Sequence, residues 1–195
     1  MKKFLVLVLA LACALTMFSC NGDEALEAFV VAADATNPAV VVVDTTFATA
    51  LGDLTANTTK TYNEDGSYKV EFTYDKMNSS AEGAADEAFA PVTGTVNADA
   101  SGNLTGDTEK YSAMTADNSG AKLTLNAKAL ENYSVSADGN TLTATVKAEN
   151  TKAVLGIEIA ADVTLTATKN ADAIVTFTVE YAVELGTVTI VCSYR

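Results

Sequence analysis

The chain contains no histidine, and its three cysteines are Cys13, Cys20 and Cys192. Without histidine there is no Ser-His-Asp or Cys-His nucleophile pair, no imidazole-bound zinc and no side chain that ordinarily titrates near neutral pH. Cys192 lies in an apolar run that alternates with polar residues, which indicates a small buried hydrophobic residue rather than a reactive thiol. The sequence therefore predicts no catalytic residue, and we expect a protein that is not an enzyme.

The acidic residues offer carboxylates, but they lie in predicted turns or on the polar side of predicted strands, and no pair is placed for acid–base chemistry. Asn97, Asp99, Ser101 and Gly102 match the first half of an EF-hand calcium loop. The twelfth position of that loop is Thr108 rather than glutamate, so the bidentate ligand is missing and a hairpin turn is the better interpretation. We predict no metal site and no cofactor, and keep a carboxylate-based hydrolase only as an alternative.

Residues 1–19 have the three regions of a cleaved export signal: Lys2 and Lys3, an apolar stretch over 4–18, and Ser19 immediately before Cys20. About 15 apolar residues are too few for a transmembrane helix, which needs roughly 20. The run Met-Phe-Ser-Cys that ends at Cys20 resembles the looser lipobox of lipoproteins from Bacteroidota and spirochaetes. This resemblance implies that Cys20 is acylated and becomes the mature N-terminus. Cys13 is a competing cleavage site, and an ordinary secretory signal with an incidental cysteine is the other alternative.

The full chain carries a formal charge of −13, which becomes −15 when Lys2 and Lys3 leave with the signal. A protein this acidic is repelled by nucleic acid and by anionic lipid headgroups. We therefore expect no nucleic-acid partner, and contact with the membrane through the lipid anchor alone. Asp23 and Glu24, shortly after Cys20, resemble the acidic export signal of Bacteroidota lipoproteins. That resemblance implies a lipid-anchored protein of the outer membrane, with the periplasmic and surface faces both left open.

The chain divides into a signal peptide (1–19), an acylated tether with a short helix (20–38) and a β-domain (39–195). Leu26, Phe29 and Ala33 recur at helical spacing and predict a helix over about residues 24 to 34, which Pro38 ends. From Val40 onward, apolar and polar residues alternate, as is typical of half-buried antiparallel strands. The apolar run over 155–167 is longer than a usual strand, so we expect it either to bend near Ala160 or to form a long barrel strand.

Turn residues such as Asp65-Gly66 and Asp138-Gly139 punctuate the strands closely, and short links require antiparallel neighbours, so the stretch 91–195 is predicted to be a meander. The segments 62–68 and 133–142 resemble hairpins of lipocalin-like lipoproteins from Bacteroidota. The chain has no tryptophan, so the Gly-x-Trp motif of true lipocalins is absent. We expect an all-β fold: an antiparallel meander of about eight to ten strands in a closed or partly closed β-barrel, with a β-sandwich as the alternative.

The apolar side of these strands would line the barrel interior. Many of its residues are small, which leaves room for an apolar or amphipathic ligand in an interior that is nearly free of charge. We nominate Val70, Phe72, Phe177 and Tyr181 as ligand-binding residues. The residues that we expect to share one core are Phe72, Phe177, Val179, Ile190 and Cys192.

The function that these patterns favour is a lipid-anchored lipoprotein of the cell envelope, whose non-enzymatic β-domain binds a small apolar ligand or a protein partner. A purely structural or adhesive surface protein is the first alternative. A transmembrane β-barrel is less favoured, although alternating segments of about ten residues fit one. Aromatic residues make up only 7% of the chain, so the interfacial girdles of such a barrel would be thin.

Overall fold

The structure, a computed structural model, describes residues 23–50, 52–77, 89–114 and 118–195. The export signal and Cys20 lie outside these residues. The sequence predicts a loop or a short helix over 78–90, of which 78–88 also lie outside the described residues, while 89 and 90 belong to a strand. Residues 23–35 form helix α1, close to the predicted bounds. Leu26 and Phe29 on one side of α1 are buried against the sheet, so the helix contributes to the core of the β-domain.

Ten strands account for most of the remaining described residues. They are β1 (Val40–Thr49), β2 (Gly52–Tyr62), β3 (Tyr68–Met77), β4 (Phe89–Ala98), β5 (Leu104–Gly106), β6 (Leu130–Val135), β7 (Thr141–Val146), β8 (Val163–Asn170), β9 (Ala173–Val183) and β10 (Gly186–Tyr194). All ten belong to one antiparallel sheet in the order β5-β4-β3-β2-β1-β10-β9-β8-β7-β6. The predicted all-β antiparallel fold with eight to ten strands is confirmed.

The sheet is open, because β5 and β6 are its two edges and do not pair with each other, so the closed β-barrel that the sequence suggested does not form. The first and last strands of the described chain, β1 and β10, pair side by side near the middle of the sheet. The prediction of one continuous meander from residue 91 onward therefore fails between β5 and β6. The physical reason is that the chain between them leaves the sheet and crosses one of its faces instead of forming another hairpin.

Short helices occupy the connections that the sequence assigned to turns or strands. They are α2 (Thr108–Ser112), α3 (Thr151–Leu155) and the 3-10 turns Ala127–Ala129 and Ala148–Asn150. Helix α3 ends at Gly156, which adopts a left-handed conformation with φ of 73°. The long apolar run from residue 155 is thus broken before β8 begins at Val163, as the bending alternative predicted.

One face of the sheet, here called the inner face, carries the buried side chains and is covered by the helices. The cross-strand register places Val43, Cys192 and Phe177 side by side on this face of β1, β10 and β9. The opposite, outer face is rich in threonine, whose β-branched side chain suits a solvated strand. The alternation in the sequence therefore assigns inner and outer positions correctly.

The inner face carries two separate hydrophobic clusters rather than the single core that we expected. The larger cluster includes Phe177, Val179, Ile190 and Cys192 and packs beneath α1 and α3. Phe72 belongs to the smaller cluster, over β2, β3 and β4, where its ring lies 5.4 Å from that of Tyr111. The two clusters separate because different parts of the chain cover the two halves of the sheet.

Residues 118–125, here called the strap, cover part of the inner face without regular secondary structure, and Ala121 is buried in the larger cluster. The strap also contains Leu123 and Leu125, which are buried in the larger cluster. Helix α3 holds the strap, since the amides of Lys122 and Thr124 donate to the carbonyls of Leu155 and Val154 at 2.9 and 2.7 Å. A Cβ at Gly156 would lie 2.7 Å from the carbonyl oxygen of Gly120, so glycine is needed for this approach.

Candidate functional site: two cavities on the inner face

The inner face is incompletely covered where β1 and β2 run between the two hydrophobic clusters. Two cavities open there, with volumes of about 660 and 470 Å³. Volumes of this size are within the usual range for sites that bind small molecules. The site therefore lies over the central strands of the sheet, and the path of the strap shapes it.

The first cavity lies where α1 leads into β1. It is lined by Thr36, Asn37, Pro38, Ala39, Val41, Lys60, Tyr62, Asn63, Glu64, Gly120, Ala121, Lys122, Leu123 and Tyr194. Thr36 positions the end of α1, because its hydroxyl donates to the carbonyl of Ala32 at 2.6 Å and accepts from the amide of Ile174 at 2.9 Å. This cavity is amphipathic, with aliphatic residues on its walls and two lysines among its lining residues.

The second cavity lies toward the other ends of β1 and β2. It is lined by Thr45, Phe47, Leu54, Thr55, Ala56, Tyr74, Asp75, Met114, Asn118, Ile157, Glu158, Ile159, Tyr181 and Val188. Aliphatic and aromatic side chains dominate this list, and its charged members are both acidic. The carboxylate of Asp75 accepts from the amide and hydroxyl of Thr55 at 2.8 and 2.9 Å.

The strap contributes to both cavities and is fixed to the sheet at two points. The side-chain amide of Asn118 donates to the hydroxyl of Thr45 at 2.9 Å in the second cavity. The amide of Leu123 donates to the hydroxyl of Tyr194 at 3.0 Å in the first. The two cavities are thus neighbouring openings over the same pair of strands, on either side of the strap.

Thr58 lies on the inner face of β2 between Ala56, which lines the second cavity, and Lys60, which lines the first. Its side chain is 2% exposed. Its hydroxyl has no hydrogen-bond partner among the residues that the structure describes. A buried hydroxyl without a partner costs about 1–3 kcal/mol, so such a group is uncommon in a well-packed core.

The four residues nominated as ligand-binding occupy different surroundings. Val70, Phe72 and Phe177 are buried within the hydrophobic clusters, and the ring of Phe72 fills the space above Gly94. Tyr181 is half-buried and lines the second cavity. All four lie on the inner face, but the structure brings only Tyr181 to either of the two cavities over β1 and β2.

Sequence reasoning missed Lys60, the strap and the two cavities. Lys60 was overlooked although it lies on the inner side of β2, two residues before Tyr62, in an interior that we expected to be nearly free of charge. The sequence of β2 could have indicated this position, because Thr58, Lys60 and Tyr62 are at every second residue and therefore share one face of the strand. No local pattern identified residues 118–125 as a covering segment.

Burial shapes the chemistry of the polar groups next to the cavities. It raises the pKa of Tyr194 and, less strongly, of Tyr181, so both hydroxyls remain protonated at neutral pH. It also raises the pKa of the Cys192 thiol to about 12, which agrees with the predicted unreactive, buried cysteine. Within the described ranges, no three cysteine, aspartate or glutamate side chains gather where they would hold a metal ion.

None of the described helices is long and apolar enough to cross a membrane. No protein-family model matches the chain, and no curated protein matches it. Among solved structures, the chain is similar to LprF from Mycobacterium bovis at 13% identity and a TM-score of 0.47, over 88% of this chain and 92% of that one. It also aligns with the dehydratase domain from the CurF module of curacin polyketide synthase at 13% identity and a TM-score of 0.24, over 82% and 75% of the two chains. Both scores are too low to support an argument about function.

Proposed function

We propose that this protein is a lipid-anchored lipoprotein of the cell envelope, attached to the outer membrane through Cys20, and that its β-domain binds a small apolar or amphipathic molecule in the cavities of the inner face. It acts as a binding protein rather than an enzyme. The ligand is held between the sheet and the strap, with apolar side chains around its body.

The observation that carries the proposal is the pair of cavities between the two hydrophobic clusters. Phe47, Leu54, Ile157 and Val188 give the second cavity an apolar lining. Burial of apolar surface stabilises a complex by roughly 25 cal/mol per Å², so apolar walls favour a ligand with an apolar body. Tyr74, Met114 and Tyr181 line the same cavity and add apolar surface to its walls.

With Cys20 as the anchor, the position of α1 determines which edge of the domain lies near the membrane. The hydroxyl of Tyr133 on β6 donates to the carboxylate of Asp23 at 2.6 Å, and this bond raises the pKa of Tyr133. Asp23 follows Cys20 by three residues, a length of chain that spans at most about 10 Å. An acyl group on Cys20 would therefore hold the β6 edge of the domain close to the membrane surface.

Metabolic labelling with a fatty-acid analogue tests the anchor. The wild-type protein should incorporate the label and Cys20→Ser should not, because two or three acyl chains need that thiol as their attachment point. Cys13→Ser is the matched control and should be labelled like the wild type. Label on the Cys20→Ser variant, or its loss from Cys13→Ser, would overturn the assignment of the anchor to Cys20.

Native mass spectrometry of the protein purified from its own host tests ligand binding. We expect a non-covalent adduct of a small apolar or amphipathic molecule in addition to the mass of the acylated chain. Tyr181→Ala should reduce the adduct, whereas Glu180→Ala, at the neighbouring outer-face position, should retain it. A protein that carries no adduct and takes up no amphiphile in solution would support the structural or adhesive alternative instead.

A further inference from the structure

Lys60 lies on the inner face, in the wall of the first cavity, between two aromatic rings. Its Nζ is 4.0 Å from the ring centroid of Tyr68 and 4.9 Å from that of Tyr62. Cation–π contacts of this kind hold an ammonium group in place through N–H groups that face the rings. Lys60 has three N–H donors, so a donor that faces neither ring can bind a ligand at the cavity.

Lys60 also lacks a carboxylate partner among the described residues, as does Lys122 of the strap, which lines the same cavity. In contrast, Lys69, Lys110 and Lys147 pair with acidic side chains at 2.8 to 2.9 Å. Acidic residues outnumber basic ones 25 to 12, so carboxylates are abundant for pairing. Two lysines without such partners at one cavity thus form a local positive site.

The charges at the two cavities differ in sign. The second cavity has Asp75 and Glu158 and no lysine among its lining residues. The first has Lys60 and Lys122, and Glu64 is the one carboxylate among its described lining residues. An anionic group placed over β1 and β2 is therefore attracted to the first cavity and repelled from the second.

The net negative charge of the protein repels any anion, but this electrostatic repulsion decreases with distance. Exposed charges separated by more than about 8 Å are largely screened at physiological ionic strength. A half-buried ammonium at the cavity wall acts at contact distance, where screening is much weaker. Lys60 and Lys122, with Glu64 opposing them, thus decide which headgroup the cavity accepts.

We propose that the first cavity binds the anionic headgroup of an amphiphile, with Lys60 as its principal partner and Lys122 assisting from the strap. This inference rests on the proposed function and adds a headgroup class and an orientation to it. The headgroup is a carboxylate or a phosphate, which share the ability to accept charge-assisted hydrogen bonds from an ammonium group. The apolar chain lies against Val41 and Leu123, which line the same cavity.

Isothermal titration calorimetry tests the proposal with four single-chain amphiphiles: dodecanoate, dodecyl phosphate, dodecanol and dodecyltrimethylammonium. The three ionic ones are used below their critical micelle concentrations, and dodecanol is used below its solubility limit. The protein is the full chain carrying Cys20→Ser, so that no attached acyl chain competes. We expect at least one of the two anions to bind about tenfold more tightly than dodecanol, as a charge-assisted hydrogen bond predicts, and the cation to bind most weakly. The comparison between dodecanoate and dodecyl phosphate identifies the headgroup.

Lys60→Met keeps the apolar stem of the side chain and removes its charge. We expect this variant to lose about tenfold in affinity for the preferred anion and little for dodecanol. Lys128→Met is the matched control, since Lys128 is exposed and lines neither cavity; any contribution from residues 1–22 is the same in both variants. Glu64→Gln should strengthen binding of the anion.

The outcomes separate this inference from the proposed function. Equal affinities for dodecanol and both anions, or equal effects of Lys60→Met and Lys128→Met, would overturn the headgroup assignment while leaving an amphiphile-binding domain. If none of the four amphiphiles binds, the proposed ligand-binding function fails, and the headgroup assignment fails with it. Circular dichroism and the thermal midpoint of Lys60→Met are compared with those of the Lys128→Met control. A match shows that a loss of affinity does not result from a loss of folding.

Discussion

Asn118 of the strap and Thr45 of β1 are 73 residues apart in the chain and are joined by a hydrogen bond of 2.9 Å from the Asn118 amide to the Thr45 hydroxyl. Both residues line the second cavity. The bond fixes the start of the strap over the strands on which both cavities lie. The geometry of the proposed site therefore depends on a contact that no neighbouring residues in the sequence specify.

Removing this bond should loosen the strap. We expect Asn118→Ala and Thr45→Ala each to lower the free energy of unfolding by about 1 kcal/mol, with a coupling energy in the double mutant of about 0.5 kcal/mol or more. Thr46→Ala, on the outer face beside Thr45, is the control and should stay within about 0.5 kcal/mol. Additive effects of the two substitutions in urea denaturation would show that the bond does not stabilise the strap.

Substitution of Thr58, unlike that of Asn118 or Thr45, is not expected to lower the free energy of unfolding. Because its buried hydroxyl has no described partner, Thr58→Val should leave the ligand-free protein as stable as the wild type or more stable by about 1 kcal/mol. Thr59→Val on the outer face is the control and changes stability little. A clear loss of stability in Thr58→Val, measured by thermal unfolding, would mean that the hydroxyl is hydrogen-bonded in the folded protein.

The assignment of faces predicts unequal effects at neighbouring positions of β9. Phe177 is 0% exposed in the larger cluster, and truncation to alanine leaves a cavity that should cost roughly 3–5 kcal/mol. Thr178→Ala, on the opposite face, should cost no more than about 1 kcal/mol. Urea unfolding of the two variants checks the assignment, and equal losses would contradict it.

The raised pKa of the buried Cys192 thiol predicts that the protein loses stability at alkaline pH. Burial raises its pKa from an ordinary value of 9.0 to about 12, so the unfolded chain releases this proton at lower pH than the folded protein does. The contribution of the protonated thiol to the free energy of unfolding is complete below about pH 9 and disappears as the pH rises toward 12. By pH 10 the loss from this thiol is about 1 kcal/mol.

Urea unfolding at pH 7 and pH 10 measures this contribution by comparison with Cys192→Ala. The substitution leaves a small cavity that lowers stability at both pH values, but the decrease between pH 7 and pH 10 should be smaller than in the wild type. The same burial predicts that iodoacetamide modifies Cys192 only after unfolding. A thiol that is alkylated rapidly in the folded protein at pH 8 would contradict the assignment of its burial.

The sequence by itself determined helix α1, most of the strands and the two faces of those strands. The spacing of Leu26 and Phe29 predicted the helix, and the alternation around Phe177 predicted which side chains of β9 are buried. These features are local: helical and strand periodicities are set by backbone geometry, so a few consecutive residues reveal them. The lipobox-like run at Cys20 is local in the same sense, and the proposed location of the protein in the cell envelope depends on it.

Only the tertiary structure decided how the elements combine. The pairing of Val43 with Cys192 brings the first and last strands together, and the departure of the chain after β5 leaves the sheet open. Neither is encoded in periodicity, because an alternating strand pairs equally well with several partners until distant contacts choose among them. Lys60 acquired its proposed role in the same way: its parity was visible in the sequence, but the cavity beside it exists only because a distant segment covers that part of the sheet.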